Sequence, residues 1–351
     1  MRERIFSSRF LSDPSMPPVV VAEVSGNHGG SLDKALALID AAAAAGADAV
    51  KFQTYEPQTI TLDHDGPAFR VGGLWHGERL YDLYARAQTP FEWHTRLFEH
   101  ARERGIAVFS APFDPTAVDL LETLRTPAYK IASCELVDTG LIRHVARTGK
   151  PVILSTGMAS REEISEALDV IKALRGGLED ISLLHCISGY PTPVHNANLR
   201  RMIDMATRFN VPVGLSDHSP GLAVPLAAVA LGAVLIEKHV CLSRDDDGAV
   251  DGPFSLEPDE LMALVRQSRE VWQALGDAVY GPTETEADSL RFRRSLYFVR
   301  DLTEGAAVDS ASVRSVRPSG GLHPRHLAEI MGRQIRRPVR AGTPVTWEHL
   351  V

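Results

Sequence analysis

Short runs of β-branched and apolar residues, each closed by Gly, Pro, Ser or Asn, recur along the first 240 residues. They alternate with longer stretches whose apolar residues return at helical period. The pattern predicts strands over 19–24, 49–53, 107–110, 128–131, 151–155, 181–185, 212–215 and 234–239. It predicts helices over 32–45, 91–104, 116–124, 139–147, 161–174, 197–209, 222–231 and 258–275. Several helices open on a capping residue or close near glycine, as in "SREEI" from Ser160 and "RERG" ending at Gly105. Eight alternating units over about 250 residues predict a TIM (β/α)8 barrel. A doubly wound sheet would carry a GxGxxG phosphate turn after its first strand, and "SGNHGG" does not match it.

Predicted strands two and three start 58 residues apart, against 21 to 31 for the other consecutive pairs, so residues 54–90 form an insertion. On a barrel that segment leaves the C-terminal ends of the strands, where active sites are built, and it reads either as a substrate lid or as a rim excursion packing Trp75, Tyr81 and Tyr84. Beyond residue 275 the chain turns polar and Gly/Pro-bearing. From Arg291 the runs "SLYFVR", "VRSVRPS" and "TPVTW" predict a small β-rich domain of about 60 residues, small enough to lean on a neighbour. The expected division is therefore a barrel domain over 1–280, a linker over 281–290 and a β-rich domain over 291–351.

Composition narrows the class. Hydrophobic residues make up 44% and charged residues 23%, values of a globular chain rather than a disordered one. No apolar stretch reaches the roughly 20 residues of a membrane span, and the N-terminus lacks an apolar leader core, so no membrane association, no export and a cytoplasmic location are expected. Cys134, Cys186 and Cys241 lack metal-type spacing and fit a reducing compartment. The net charge of −8 hides an asymmetry: residues 291–351 hold 11 Arg and 5 acids, while the rest holds 26 basic and 40 acidic residues. A +6 tail on a −14 body reads as an anion- or partner-binding surface, or as an uneven solvated one. The tail holds no lysine and the whole chain is acidic, so no nucleic-acid partner is expected.

The strand ends carry the chemistry. They bring Glu23, Asn27 and His28; Lys51 and Gln53; Ser110; Lys130 and Ser133; Ser155 and Thr156; His185 and Ser188; Ser216, Asp217 and His218; and Glu237, Lys238 and His239. Lys51, Lys130, Ser133, Ser155, Ser188 and Ser216 are donors suited to a phosphate or carboxylate, with Ser110 counted among the substrate-binding groups. The alternative for either lysine is a rim ion pair, which apolar runs such as "ADAVKFQ" and "PAYKIAS" disfavour. His218 and His239, on neighbouring strands, either converge on a divalent ion or are hydrogen-bonded histidines. The run Asp245, Asp246, Asp247, Gly248 fails as an EF-hand loop because its twelfth position is Phe254, not Glu. Asp251 remains a possible acceptor for a sugar hydroxyl.

"VSGNHGG", "ADAVKFQTY", "AYKIASCEL", "VILSTGMAS", "LLHCISGYPTP", "VGLSDHSPG" and "IEKH" resemble the sialic acid synthase family, from about Val19 to the C-terminus, and the Arg-rich tail resembles its antifreeze-like (SAF) domain. Within the family, "LYDLYARAQTPFEWH", "FSLEP", "FRRSLY" and "GLHPRHL" look most like the branch that makes pseudaminic acid, while Ser188 stands where the N-acetylneuraminate branch usually has Asn. The resemblance implies condensation of phosphoenolpyruvate with the open-chain aldehyde of an N-acetylated amino sugar, here 2,4-diacetamido-2,4,6-trideoxy-L-altrose. It implies that His218 and His239 hold Mn2+, Mg2+ or a similar ion, and that Lys51, Lys130, Ser133, Ser155, Ser188, Tyr190 and Ser216 hold phosphoenolpyruvate. Gln53 and Asp251 would hold the sugar, and Glu23 and Glu237 would handle protons or orient water. Arg317, in "VRPSGG", would reach the sugar from the partner of a domain-swapped homodimer. Two other readings stay open: the same chemistry on the legionaminic precursor or N-acetylmannosamine, and a carbohydrate-binding barrel without turnover.

Overall fold

The computed structural model describes residues 5–246 and 248–351. These divide into two compact units, Met1–Gly276 and Asp277–Val351. In the first, eight parallel strands close into a barrel in chain order: β1 (Val19–Glu23), β2 (Ala49–Thr54), β3 (Ala107–Pro112), β4 (Tyr129–Ile131), β5 (Val152–Ser155), β6 (Ile181–Cys186), β7 (Val213–Asp217) and β8 (Leu235–His239). β8 closes on β1 with Val19 opposite Leu235 and Glu23 opposite His239. Nearly every strand residue is buried, because one face packs into the barrel and the other against helices; this explains the near-continuous apolar runs.

Local chemistry sets the helix ends. Asp114 caps Pro115–Thr123 by accepting from the amides of Thr116 and Ala117, and Ser160 and Glu163 form a reciprocal capping box on Arg161–Arg175. Gly105 and Gly176 end their helices in the left-handed region, at φ of 66° and 78°. The predicted helix over 197–209 is shorter than expected: a 3-10 turn, Val194–Asn196, precedes the α-helix Arg200–Phe209. The strands predicted from Ala128, Pro151, Pro212 and Val234 each start one residue later, and β7 runs two residues further, to Asp217.

Periodicity predicts no element before residue 19, yet the short helix Ser8–Leu11 lies there, capped by Ser7. Ile5, Phe6 and Leu11 join Val19, Ala107, Phe109, Ala128 and Leu235 in a core cluster, with the Phe6 and Phe109 rings 4.7 Å apart. These partners sit at the N-terminal ends of the strands and inside the barrel, so the segment plugs that end. Ser8 and Asp180 fasten it by two exchanged hydrogen bonds, of 2.8 and 2.7 Å.

The insertion after β2 folds into short helical pieces, Pro57–Ile60, Pro67–Phe69, Gly73–Trp75 and Leu80–Ala87. Trp75 and Tyr84 turn toward the strand ends and the loops that follow them. The Trp75 indole donates to the Val250 carbonyl at 3.3 Å and lies 6.0 Å from the Tyr190 ring, and Tyr84 stands against Tyr55 at 5.9 Å. Asp246 pairs with Lys34 at 2.6 Å, while Asp247 falls outside the described residues.

The second unit is β-rich. A 3-10 stretch, Glu284–Phe292, precedes β9 (Ser295–Phe298), which pairs antiparallel with β10 (Val313–Val316). Single bridges join Tyr297 to Pro344, Leu302 to Val339 and Ile335 to Leu350. Leu296, Phe298, Val313, Ile330, Ile335 and Val345 are among the buried residues of a core that belongs to this unit alone. Gly321 is required there, since a Cβ would run into the Leu296 carbonyl and the Val345 backbone.

Candidate active site

Side chains alternate along a strand, so the inward positions near the C-terminal ends of β1, β2, β4, β7 and β8 face one another across the barrel. Lys51 lies 2.7 Å from Glu23 and 3.5 Å from Glu237; Lys130 lies 3.5 Å from the other oxygen of Glu237. Ser216 donates to Glu237 at 2.9 Å, and the Gln53 amide donates to Glu23 and Ser25, each at 3.0 Å. All four charged groups are buried, Lys130 with 2% of its surface exposed. The lysines are thus not rim ion pairs; they are interior cations compensated by two carboxylates.

The balance of charges is uneven. Burial opposes ionisation of Glu237, but Lys130, Lys51 and the Ser216 hydroxyl outweigh it and hold the carboxyl well below its usual range. Burial likewise opposes the Lys51 ammonium, and Glu23 and Glu237 overcome it, so Lys51 is raised. Lys130 is lowered: burial dominates, and its share of Glu237 does not make up the difference while Lys51 adds repulsion. A buried, under-compensated ammonium is the group an incoming anion would stabilise most.

Hydroxyls surround Lys130 on the neighbouring strand ends. Ser133 Oγ accepts from the Gly157 amide at 3.0 Å, and the buried hydroxyls of Ser155 and Ser188 have no hydrogen-bond partner. A Cβ on Gly157 would stand 2.7 Å from Ser133 Oγ and nearer still to Ser188 Oγ. Gly157 therefore marks the point where these two hydroxyls converge. Unpaired buried hydroxyls carry a desolvation cost of about 1–3 kcal/mol each, which a bound anion's oxygens would relieve.

Beside this cluster stand the two histidines, ring centroids 5.2 Å apart. His218 Nδ1 is 3.0 Å from the Ile187 carbonyl, so a proton on that nitrogen leaves the Nε2 lone pair open. His239 Nδ1 is buried without a hydrogen-bond partner, 3.4 Å from Asp251 Oδ2. Burial would raise the Asp251 carboxyl, but His239, Ser25 and His218 reverse the effect and lower it. Asn27 fixes the loop that carries Asp251 by accepting from its amide at 2.8 Å and donating to Ser255 and Val240. Tyr190 and Phe254 wall one side, with Tyr190 4.6 Å from His218 and Phe254 4.9 Å from His239. Two adjacent imidazoles, His218 with an open Nε2 lone pair and His239 with its Nδ1 turned to the Asp251 carboxylate, fit a divalent cation. Among the described residues no three His, Cys, Asp or Glu side chains form a closed ligand set, so such an ion would keep open positions.

Two residues of the expected set stand apart. Ser110 is fully buried on the helix-facing side of β3, where its hydroxyl meets Thr54 at 2.6 Å and Thr54 meets His94 at 2.7 Å. The structure therefore places Ser110 in a network that ties the helix His94–Arg104 to the strands, not among the inward groups. Arg317 is exposed just beyond β10 in the C-terminal unit. Gly157 and Phe254 escaped the sequence reading. "STG" directly after a strand was a usable signal for the first; nothing local marks the second.

A closed parallel barrel with paired lysines, carboxylates and imidazoles gathered at the C-terminal ends of its strands, followed by a small β-rich unit, defines a (β/α)8-barrel enzyme with an appended domain. The chain belongs to the NeuB family, whose model matches residues 38–280, and a SAF domain matches residues 293–351. It is 43% identical to the pseudaminic acid synthase of Campylobacter jejuni subsp. jejuni serotype O:2 over 324 residues, covering 92% of this chain and 94% of that one. It is 40% identical to the pseudaminic acid synthase of Helicobacter pylori, covering 94% and 97%. Among solved structures it resembles the N-acetylneuraminic acid (sialic acid) synthetase of Leptospira borgpetersenii in complex with citrate, at 33% identity and a TM-score of 0.70, covering 79% of this chain and 91% of that one. Among the described residues no helix is long and apolar enough to cross a membrane.

Proposed function

We propose that this protein condenses phosphoenolpyruvate with the open-chain aldehyde of 2,4-diacetamido-2,4,6-trideoxy-L-altrose to give pseudaminic acid and phosphate. The higher identity to the two pseudaminic acid synthases than to the N-acetylneuraminic acid synthetase supports this sugar. The observation that carries the chemistry is the buried Lys51–Glu237–Lys130 cluster with orphaned hydroxyls on one side and the imidazole pair on the other.

Lys130, Lys51 and the hydroxyls of Ser133, Ser155, Ser188 and Ser216 hold the carboxylate and phosphate of phosphoenolpyruvate, with Tyr190 along its edge. Gln53 and Asp251 hold sugar hydroxyls opposite. The methylene carbon, C3, forms the new bond to the aldehyde carbon as its C=O π bond opens and the oxygen takes up a proton; water adds at C2 with loss of a proton, and the C2–O bond to phosphate breaks as the C2 hydroxyl loses its proton, leaving the 2-keto acid and phosphate. Glu23, paired with Lys51, and Glu237, within reach of both lysines, orient the water and move its proton. His218 and His239 are the residues that would hold Mn2+ or Mg2+, which when bound supplies Lewis-acid polarisation of the aldehyde oxygen. The assembly we propose is a domain-swapped homodimer in which Arg317 of each subunit serves the sugar of the other, in a cytoplasmic enzyme with no nucleic-acid or membrane partner.

The test is phosphate release and product mass with phosphoenolpyruvate, Mn2+ and each candidate sugar in turn. Turnover of the altrose-configured diacetamido sugar is expected. Turnover of the legionaminic precursor or of N-acetylmannosamine in its place would overturn the sugar assignment, and no turnover of any would overturn the reaction.

A further inference from the structure

Directly behind the two imidazoles, on the helix-facing side of the same two strands, lies a second charged pair that the proposed chemistry does not use. Asp217 and Lys238 are cross-strand neighbours in the β7–β8 register, and Lys238 Nζ lies 2.5 Å from Asp217 Oδ2. The lysine side chain is 0% exposed and the aspartate 3%. Each residue directly precedes one of the histidines. The pair also clasps the turn that follows β7: Lys238 Nζ donates to the Ser219 carbonyl, and Asp217 Oδ1 accepts from the Ser219 amide at 2.9 Å. The backbone on both sides of His218 is therefore tied to the residue next to His239. Outside the clasp, the His218 carbonyl accepts from Thr192 at 2.9 Å and the His239 carbonyl from Leu256 at 2.8 Å.

A buried ion pair at this depth is poor evidence for stability, because desolvation offsets much of its attraction and an apolar pair would serve as well. Its distinctive property is geometric: it fixes two strand ends and one turn relative to each other. We propose that Asp217 and Lys238 form a positioning pair that sets the spacing of the His218 and His239 imidazoles for a divalent cation. The inference rests on the two-histidine reading above and adds to it the residues that act through those ligands. Groups behind metal ligands typically change affinity ten- to a hundredfold when removed.

The experiment titrates Mn2+ into the substrate-free full-length protein and follows free Mn2+ by electron paramagnetic resonance. Wild type, Lys238→Met, Asp217→Asn and His239→Ala are compared, each with a thermal unfolding curve. Lys238→Met is expected to weaken the Mn2+ Kd by ten- to a hundredfold, and saturating Mn2+ should restore most of kcat, with the phosphoenolpyruvate KM then within about twofold of wild type. Asp217→Asn keeps the side-chain volume and removes the ionic half; it gives the same reading if Lys238→Met does not fold. A folded variant with wild-type Mn2+ affinity overturns the positioning role, whatever its loss of thermal stability. Wild-type protein that binds Mn2+ no better than His239→Ala overturns the two-histidine site, and this inference with it.

Discussion

Glu237→Gln isolates what the shared carboxylate does. Glutamine keeps the volume and can still accept from Ser216, but it removes the charge that Lys130 faces at 3.5 Å. Lys51 retains Glu23 at 2.7 Å, so the loss falls on Lys130. Removing one partner of a buried pair costs about 3–5 kcal/mol. An independent ceiling comes from the proton: a lysine of ordinary pKa near 10.4 can be neutralised at pH 7 for about 4.6 kcal/mol, so the strain cannot exceed that. A loss of about 3 kcal/mol lowers the midpoint of a domain this size by roughly 6–12 °C. The sign with pH is determined. In the variant the folded pKa of Lys130 is pushed further below its unfolded value, the unfolded state binds more protons, and stability rises with pH between the two. At pH 9 the ceiling drops to about 1.9 kcal/mol, so a deficit of about 3 kcal/mol at pH 7 should shrink by roughly a third or more. Scanning calorimetry of the substrate-free protein at both pH values reads this directly. A midpoint within about 2 °C of wild type at pH 7, or a deficit unchanged at pH 9, would refute the claim that Glu237 holds Lys130 charged.

Gly157→Ala should fold normally, yet its Cβ would push the Ser133 and Ser188 hydroxyls apart. Weakening one or two charge-assisted hydrogen bonds of about 1.5–3 kcal/mol raises the phosphoenolpyruvate KM by tenfold or more, with the sugar KM nearly unchanged in steady-state assays. Phe6→Ala empties the plug against Phe109 and should cost about 3–5 kcal/mol, seen as a lower urea midpoint at unchanged kcat for the folded enzyme. Arg317→Ala should raise the sugar KM more than the phosphoenolpyruvate KM. Mixing it with Lys130→Ala should recover activity; no recovery counts against a site shared between subunits.

Much of this protein is written in one dimension. The alternation of apolar runs and amphipathic helices determined the barrel, since eight βα units of this length have one economical closure, and position at the strand ends picked out Lys51, Lys130, Glu237, His218 and His239. Their pairing was a different matter. Strands buried on both faces give no hydropathy contrast between inside and outside, so Ser110 read like its neighbours until the register turned it toward His94. Ion-pair partners depend on which strands adjoin and at what stagger, a relation between residues up to 214 apart, as for Glu23 and Glu237 around Lys51. The same holds for the Phe6 plug, where a short segment with no periodicity is stable only because a finished barrel offers it an apolar end. Tertiary structure decided that one carboxylate bridges two lysines, that Gly157 holds two hydroxyls together, and that Lys238 stands behind the histidines rather than among them, because each depends on distances across the barrel that local sequence does not encode.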